Sequence, residues 1–373
     1  MNVYEKIGLK RVINASGRMT ALGVSTLSDE VGAAAIEGGQ SYVIIDDLLT
    51  QAGVIISQYT NGEKSCVTSS ASAAIAMSVA GIITQGRSDL IRQMPHSEGL
   101  VNEVLLAKGH AVSFGAPIST MISIGGGHVK EVGLANSSTV EDFDLAITDK
   151  TAAIMYVKSH HTVQKGMVNL QDLIDLAKDR KIPLIVDAAA EEDLKLYIDM
   201  GADLVIYSGA KAIEATTSGF VTGRGDLIDN IQKQYTGIGR PMKIGKEGIM
   251  GLLKALELYV NRDIPASIAH NRAQVAELMA GLNQIDGLAC TEIQDEAGRE
   301  IYRVQVQVLD QSRERNAIAV DKLLKSGNPS IHGRSHRLNE GYISLDTRPL
   351  VKGDIELILK RFKEIMEMWF QTK

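Results

Sequence analysis

Residues 203–223 read DLVIYSGAKAIEATTSGFVTG. A buried-type strand at 204–207 runs into Ser208-Gly209-Ala210-Lys211, and a second apolar run follows at 219–222. A lysine just past a strand end, in a turn of small residues, suits a group that must leave the surface and meet a ligand. Upstream, residues 182–187 read IPLIVD, an apolar strand that ends in Asp187. Lys211 lies 24 residues beyond Asp187, with one helical stretch expected between them at 192–201. That is the spacing of one βαβ unit. An aspartate ending one strand and a lysine following the next is the pairing that pyridoxal 5'-phosphate (PLP) chemistry needs. The lysine forms a Schiff base, and the aspartate keeps the pyridine nitrogen protonated so that the ring can accept electrons.

Outward from this unit, short apolar runs alternate with helical spacers. Strands are expected at 65–68, 103–107, 152–157, 182–187, 204–207 and 219–222, and helices at 46–60, 71–83 and 246–260. The alternation predicts an α/β fold with a mostly parallel sheet covered on both faces. After about residue 261 the pattern changes: a helix at 268–282, strands at 288–293 and 302–308, a helix at 319–325, a strand at 341–346 and an amphipathic helix at 354–370. This reads as a small C-terminal α+β domain. Residues 1–45 are rich in glycine and small residues, show no long helical pattern and read as an arm. The expected domains are therefore 1–45, a large domain at 46–260 and a small one at 261–373.

Composition narrows the function classes. The 373 residues are 45% hydrophobic and 23% charged, which is globular composition. A net charge of −6 argues against broad binding to a phosphate backbone, which wants a basic face. Cys66 and Cys290 are far apart and read as two reduced thiols. The N-terminus has no apolar signal region, and no run approaches the ~20 residues of a membrane span. A cytoplasmic enzyme with a small-molecule substrate, with neither nucleic acid nor membrane as partner, is the expectation.

Other candidate site residues sit at strand ends. Thr68, Ser69, Ser70 and Ser72 form a hydroxyl-rich turn between a strand and a helix, where free N–H groups and the helix dipole attract phosphate. An ordinary serine cap has the same appearance. The run Gly125-Gly126-Gly127 reads as a turn entering a strand. His110 follows the strand at 103–107 and is the candidate to stack on a cofactor ring. His160 and His161 follow the strand at 152–157, at the end of the sheet where ligands bind. With no third ligand at suitable spacing they predict no metal and serve instead as cofactor or substrate contacts. Ser208 belongs to the lysine turn. Lys165 is a candidate for an anionic substrate, against the plain alternative of a solvated loop lysine. Arg348, in SLDTRP, offers the planar fork a substrate carboxylate needs. Arg334 and Arg337 add cations for a phosphate or sugar acid, and Arg18 stands with Arg337 as a substitute carboxylate holder.

Several stretches carry a family resemblance: VINASGRMTALG at 12–23, VTSSASAAIA in the hydroxyl turn, KGHAVSFGAP at 108–117, KSHHTVQKGMV at 158–168, VDAAAEED and YSGAK. With these the whole chain resembles the PLP fold-type I enzymes of the selenocysteine-synthase-like family. Within it, the chain is most similar to the ammonia-lyase branch that acts on amino sugar acid phosphates such as D-glucosaminate 6-phosphate. The resemblance implies a seven-stranded, mostly parallel sheet, a small C-terminal domain and a homo-oligomer, dimer or larger. It implies Lys211 as the Schiff-base lysine, Asp187 as the pyridine partner and the 68–72 turn as a phosphate contact. Only about ten residues precede VINASG, which leaves no room for the synthase's tRNA-binding domain. An L-seryl-tRNA selenium transferase, a PLP-dependent lyase, aldolase or racemase of another substrate, and a non-catalytic interaction protein are the competing expectations. The general acid stays open among His160, His161 and Lys211.

Overall fold

Strand residues alternate between two faces, so a sheet covered on both sides needs apolar residues on each. This computed structural model describes residues 3–113, 115–159, 162–295, 299–312 and 314–371. Its strands in chain order are β1 (Val12–Ala15), β2 (Lys64–Thr68), β3 (Glu103–Ala107), β4 (His128–Val132), β5 (Thr151–Val157), β6 (Leu184–Asp187), β7 (Leu204–Ser208), β8 (Gly219–Gly223), β9 (Leu288–Gln294), β10 (Tyr302–Val308), β11 (Ser330–Gly333) and β12 (Tyr342–Asp346). The helices are α1 (Asp29–Gln40), α2 (Ile45–Thr60), α3 (Ala71–Thr84), α4 (Ser88–Gln93), α5 (Ile118–Ile124), α6 (Val140–Ala146), α7 (Leu170–Arg180), α8 (Leu196–Met200), α9 (Gly225–Gln232), α10 (Lys246–Val260), α11 (Ile264–Leu282), α12 (Ala317–Ser326) and α13 (Asp354–Gln371). They form two compact units: a larger one, Leu27–Asn261, and a smaller one made of residues 1–26 and 262–373.

The larger unit holds a seven-stranded sheet in the order β2-β8-β7-β6-β5-β3-β4. Only β8 runs antiparallel to its neighbours. The expected mostly parallel α/β sheet is therefore present. β5 is buried along its whole length, as a central strand covered on both faces must be. Ile154, Tyr156, Val186, Val205 and Tyr207 belong to the core layer that includes Leu173 and Ile174 of α7 and Ile249, Leu252 and Leu256 of α10. Met155, Val157, Ile185 and Ile206 belong to the opposite layer, with Ala74 and Met77 of α3 and Ile228 and Ile231 of α9. Full burial of each valine, leucine, isoleucine or methionine among them contributes about 1.5–3 kcal/mol. α3 is buried from Ala73 to Thr84, which its small residues permit.

Two sequence expectations need correction. The segment read as an arm without a long helix contains α1, whose N-terminus is capped by Ser28 accepting from the Val31 N–H, with Asp29 and Glu30 in the first turn. Only Val31 is buried in it, so the sequence shows no apolar stripe, yet it packs along α10. The helix expected at 192–201 is the single turn-and-a-half of α8. Before it, Asp193 accepts from the N–H groups of Lys195 and Leu196, while Tyr207 and Tyr259 donate to the Asp193 and Glu192 carbonyls. Those bonds hold 191–193 as a loop. The Gly125–Gly127 run does enter a strand, β4.

The smaller unit has an antiparallel sheet, β12-β10-β9, and a parallel pair, β1-β11. One face of β10 and β12, Val304, Val306, Val308, Ile343 and Leu345, belongs to a core shared with α11, α12 and α13, including Leu278, Leu324 and Phe362. The expected α+β character is present. Among the described residues, no helix is long and apolar enough to cross a membrane. Cys66 and Cys290 are free thiols.

Candidate active site

β6 sits between β5 and β7 with Asp187 in register with Val157 and Ile206. All three strands are parallel, so their carboxyl ends lie together at one edge of the sheet, where open α/β sheets bind ligands. Asp187 is half-buried at that edge and its Oδ1 accepts from the Ala189 N–H at 3.1 Å. Burial raises its ionisation above the ordinary carboxylate value, opposed by the charge of Lys211 and by the Ala189 N–H.

Lys211 stands in the turn after β7. The turn is tied by Gly209 N–H to the Ser218 carbonyl at 2.9 Å, Ala215 N–H to the Gly209 carbonyl at 2.8 Å and Ser218 Oγ to the Thr216 carbonyl at 2.7 Å. Glu214 within it adopts φ +58°, a left-handed backbone seldom seen for glutamate. Ser208 ends β7, its N–H donating to the Ala189 carbonyl at 3.3 Å beside the Asp187 strand end. The loop returns through Gly219, where a Cβ would collide with the Ser70 carbonyl carbon and the Ala71 nitrogen. Glycine here lets β8 touch the N-terminus of α3, so the lysine loop and the hydroxyl turn are packed against each other.

That turn divides its hydroxyls. Thr68 is fully buried and donates to the Ser70 carbonyl at 2.8 Å, so it shapes the turn and does not face outward. Ser70 Oγ accepts from the Ala73 N–H at 3.1 Å as the helix cap. Ser69 gives its N–H to the Met242 carbonyl at 3.1 Å, and its side chain is half-buried; Ser72 is exposed. Ser69 and Ser72, with the first-turn amides of α3, are the outward groups suited to an anion.

His110 ends a short 3-10 turn after β3 and is 1% exposed. Its ring meets the Tyr156 ring edge-on, centroids 4.6 Å apart and planes at 87°. Its Nδ1 is buried without a hydrogen-bond partner among the described residues. Burial, and secondly the charge of Lys158, push its ionisation down to about 4 from an ordinary 6.5. His110 is therefore neutral near pH 7. Since the unfolded chain takes up this proton at a higher pH than the folded one, stability is complete above pH ~6.5 and falls as pH drops towards ~4. The loss is expected to reach about 3 kcal/mol at most. His110→Phe should flatten the melting temperature against pH across that window, and an unchanged slope would refute the buried neutral imidazole.

Lys158 is a residue the sequence reading passed over. It follows β5, its N–H donates to the Asp187 carbonyl at 2.9 Å, and its charge is felt at His110. The signal was its place one residue past a strand end, the same signal that singled out Lys211.

The remaining candidates divide clearly. Lys165 is exposed in a turn. His160 and His161 lie outside the described residues. Arg348, Arg18, Arg334 and Arg337 belong to the smaller unit. There Arg337 forks onto Glu340 at 2.9 and 2.6 Å and lies over the Tyr342 ring, a local arrangement. Arg348 Nε and Nη2 donate to the two Asp346 oxygens at 2.9 and 2.7 Å. Among the described residues, no group of three or more histidine, cysteine, aspartate or glutamate side chains is placed to hold a metal ion.

The larger unit's residues fit PLP. A carboxylate raised by burial gains a cationic partner from a protonated pyridine nitrogen. A lysine stands close enough to Asp187 for its charge to be felt, the buried His110, whose Nδ1 has no hydrogen-bond partner among the described residues, feels the charge of Lys158 next to β5, and a helix N-terminus with outward hydroxyls is packed on the lysine loop.

Comparison with known proteins points the same way. The family profile described as "SelA: L-seryl-tRNA selenium transferase" matches residues 12–313. The chain is 45% identical over 366 residues to D-glucosaminate-6-phosphate ammonia lyase of Salmonella typhimurium (strain 14028s), covering 98% of both. It is 36% identical over 365 residues to 5'-C-glycyluridine monooxygenase-decarboxylase of a Streptomyces species, covering 97% of this chain and 92% of the other. A solved structure of D-glucosaminate-6-phosphate ammonia-lyase matches with a TM-score of 0.93 at 44% identity, covering 99% of each chain.

Proposed function

We propose, since this chain belongs to the L-seryl-tRNA selenium transferase (SelA) family, that it is the family's ammonia-lyase for a phosphorylated amino sugar acid, D-glucosaminate 6-phosphate. It is an enzyme of PLP fold type I, with pyridoxal 5'-phosphate as its cofactor. The observation that carries the substrate is the full-length 45% identity to the ammonia lyase, on a chain that keeps Asp187 and Lys211 at adjacent strand ends.

Bound PLP supplies a sink for the electron pair left at the substrate's α-carbon. Asp187 holds the proton on the pyridine nitrogen that makes the sink effective. The Lys211 amine takes the α-proton. The β-hydroxyl leaves as water with a proton from Lys211, His160 or His161. Water then releases the nitrogen as ammonia, so the net products are ammonia and 2-keto-3-deoxygluconate 6-phosphate. Ser69, Ser72 and the α3 amides are proposed to hold the cofactor phosphate, with Thr68 and Ser70 shaping their turn. His110 and Ser208 are proposed as cofactor contacts. Arg348 is proposed to hold the substrate carboxylate, with Arg18, Arg337 and Lys165 as further anion contacts.

The same reading includes self-association, as dimer or larger. Ile36, Tyr42, Val43 and Ile44 of the larger unit are exposed, a run of large apolar side chains that isolated monomers seldom present. Light scattering of the purified protein tests it.

The substrate is tested with a panel of phosphorylated and free amino sugar acids, assayed for ammonia and keto acid. Release of both from D-glucosaminate 6-phosphate in preference to the unphosphorylated acid is expected. Oxygen-dependent loss of carbon dioxide from a glycyl-bearing nucleoside would instead favour the chemistry named for the 36% relative. A shift of seryl-tRNA on a native gel would favour the transferase.

A further inference from the structure

We propose that Asp346 is a positioning residue for Arg348, and that Gly17 of the VINASG segment locks the pair in place. The proposal rests on the reading of Arg348 as the substrate's carboxylate holder. Asp346 ends β12 and is fully buried. Both of its oxygens receive Arg348, along the Nε–Nη2 side of the guanidinium. A planar guanidinium held along that side presents its other edge, Nη1 with the second Nη2 hydrogen, in a fixed direction.

Asp346 is itself anchored from behind. Arg303, 6% exposed by side chain, donates from Nε to Asp346 Oδ2 at 3.0 Å and from Nη2 to Asp295 Oδ1 at 3.0 Å. Asp295 also receives Arg299 at 2.9 and 3.2 Å. The alternating row Arg348–Asp346–Arg303–Asp295–Arg299 holds three cations and two anions, so it carries one net positive charge. Burial alone would raise the Asp346 carboxyl, but Arg348 and Arg303 together hold it below its ordinary value, so it stays ionised near pH 7.

Gly17 closes over this pair. Its φ of +87° is the left-handed region, and a Cβ there would stand 3.0 Å from Asp346 Oδ2 and 3.7 Å from Arg348 Nη2. The segment is fixed by Asn14 Nδ2 to the Gly17 carbonyl at 2.8 Å, Ser16 N–H to Asn14 Oδ1 at 2.9 Å and Ser16 Oγ to the His332 carbonyl at 2.9 Å. The short stretch that follows β1 is thus built to keep one guanidinium still.

A purely structural ion pair would affect stability alone. A positioning pair also sets how tightly a carboxylate is held. Holoenzymes carrying Asp346→Asn, Gly17→Ala and Arg348→Lys are compared for kcat, KM and melting temperature, and substrate binding is titrated through the visible absorbance of the cofactor. Asp346→Asn and Gly17→Ala are expected to raise KM for D-glucosaminate 6-phosphate by ~10- to 100-fold, the worth of one misaligned charged contact, with kcat changed far less. Gly17→Ala keeps every charge, so it decides the matter if Asp346→Asn fails to fold. Raised KM in Arg348→Lys with wild-type KM in Gly17→Ala and Asp346→Asn would overturn the positioning role. Wild-type KM in Arg348→Lys would overturn the carboxylate reading and this proposal with it. If the wild type neither binds nor turns over D-glucosaminate 6-phosphate, only the substrate reading falls, and the same titrations with L-serine, which carries the same carboxylate, decide the positioning role.

Discussion

Lys211→Ala is expected to lose at least ~10⁴-fold in turnover, the upper end of what one proton-transferring group contributes, and to hold its cofactor without a covalent link. The expectation follows from where the turn puts the lysine. Gly209, Ser218, Thr216 and Ala215 close a tight loop at the carboxyl end of β7, and the Lys211 charge is felt at Asp187 on the neighbouring strand. No other described lysine opposes the burial of that carboxylate. Borohydride reduction of the yellow holoenzyme, followed by peptide mapping, should place the label on Lys211. Lys211→Arg keeps the charge but cannot make the covalent link, so it should fail as badly as alanine. A label on Lys158 would move the assignment two strands over, from the end of β7 to the end of β5. A protein that stays colourless after PLP is added would remove the cofactor itself.

What the sequence reveals is the part of the fold whose pattern is local. β3, β10 and α10 occupy the residues that alternation and helical spacing mark out, because their apolar faces are continuous and their ends are signalled nearby. α1 escapes that logic. Val31 is its one buried residue, and it approaches α10 through Gly38 beside Met250 and Gly39 beside Glu247, small residues that leave no stripe in the sequence. The β1–β11 pair escapes for a different reason. Each strand has four residues, and the partners are joined by register across more than three hundred residues of chain, for which no local pattern exists.

The site divides in the same way. Asp187 and Lys211 are legible because a strand end is both a sequence signal and the place where parallel sheets meet ligands. Thr68 and Ser70 look alike to Ser69 and Ser72 in sequence, and only hydrogen bonding separates the two that build the turn from the two that face outward. Arg337 and Arg348 are equally plausible forks by composition. Arg337 meets an exposed Glu340 three residues away, while Arg348 is held by a buried aspartate that is part of a five-residue charge row. That distinction depends on partners remote in sequence, such as Arg303 and Gly17, and no spacing rule could have supplied it.

Asp187→Asn is expected to lower kcat by ~10²- to 10³-fold, the scale of a lost electrostatic stabiliser, while the protein still binds PLP. Asparagine keeps the shape and can meet the pyridine nitrogen, but it cannot hold a proton there, so the electron sink weakens at the step in which Lys211 takes the α-proton. Stability should move the other way. Burial raises the Asp187 carboxyl, so its contribution to the cofactor-free fold is present below the ordinary carboxylate value and is lost as pH rises through the raised one. In the cofactor-free protein burial disfavours the anionic form of this carboxylate, and Lys211 and the Ala189 N–H oppose that cost. Removing that charge should leave the melting temperature of cofactor-free Asp187→Asn equal to or above that of the wild type. The protonated pyridine is the partner the carboxylate lacks, so adding PLP should raise the wild-type melting temperature more than the variant's. Melting curves of both proteins with and without PLP, beside their turnover, test the two halves together. Near-wild-type turnover in Asp187→Asn, or an equal gain in melting temperature on adding PLP, would show that the ring nitrogen is met by another group and that Asp187 serves the strand end alone.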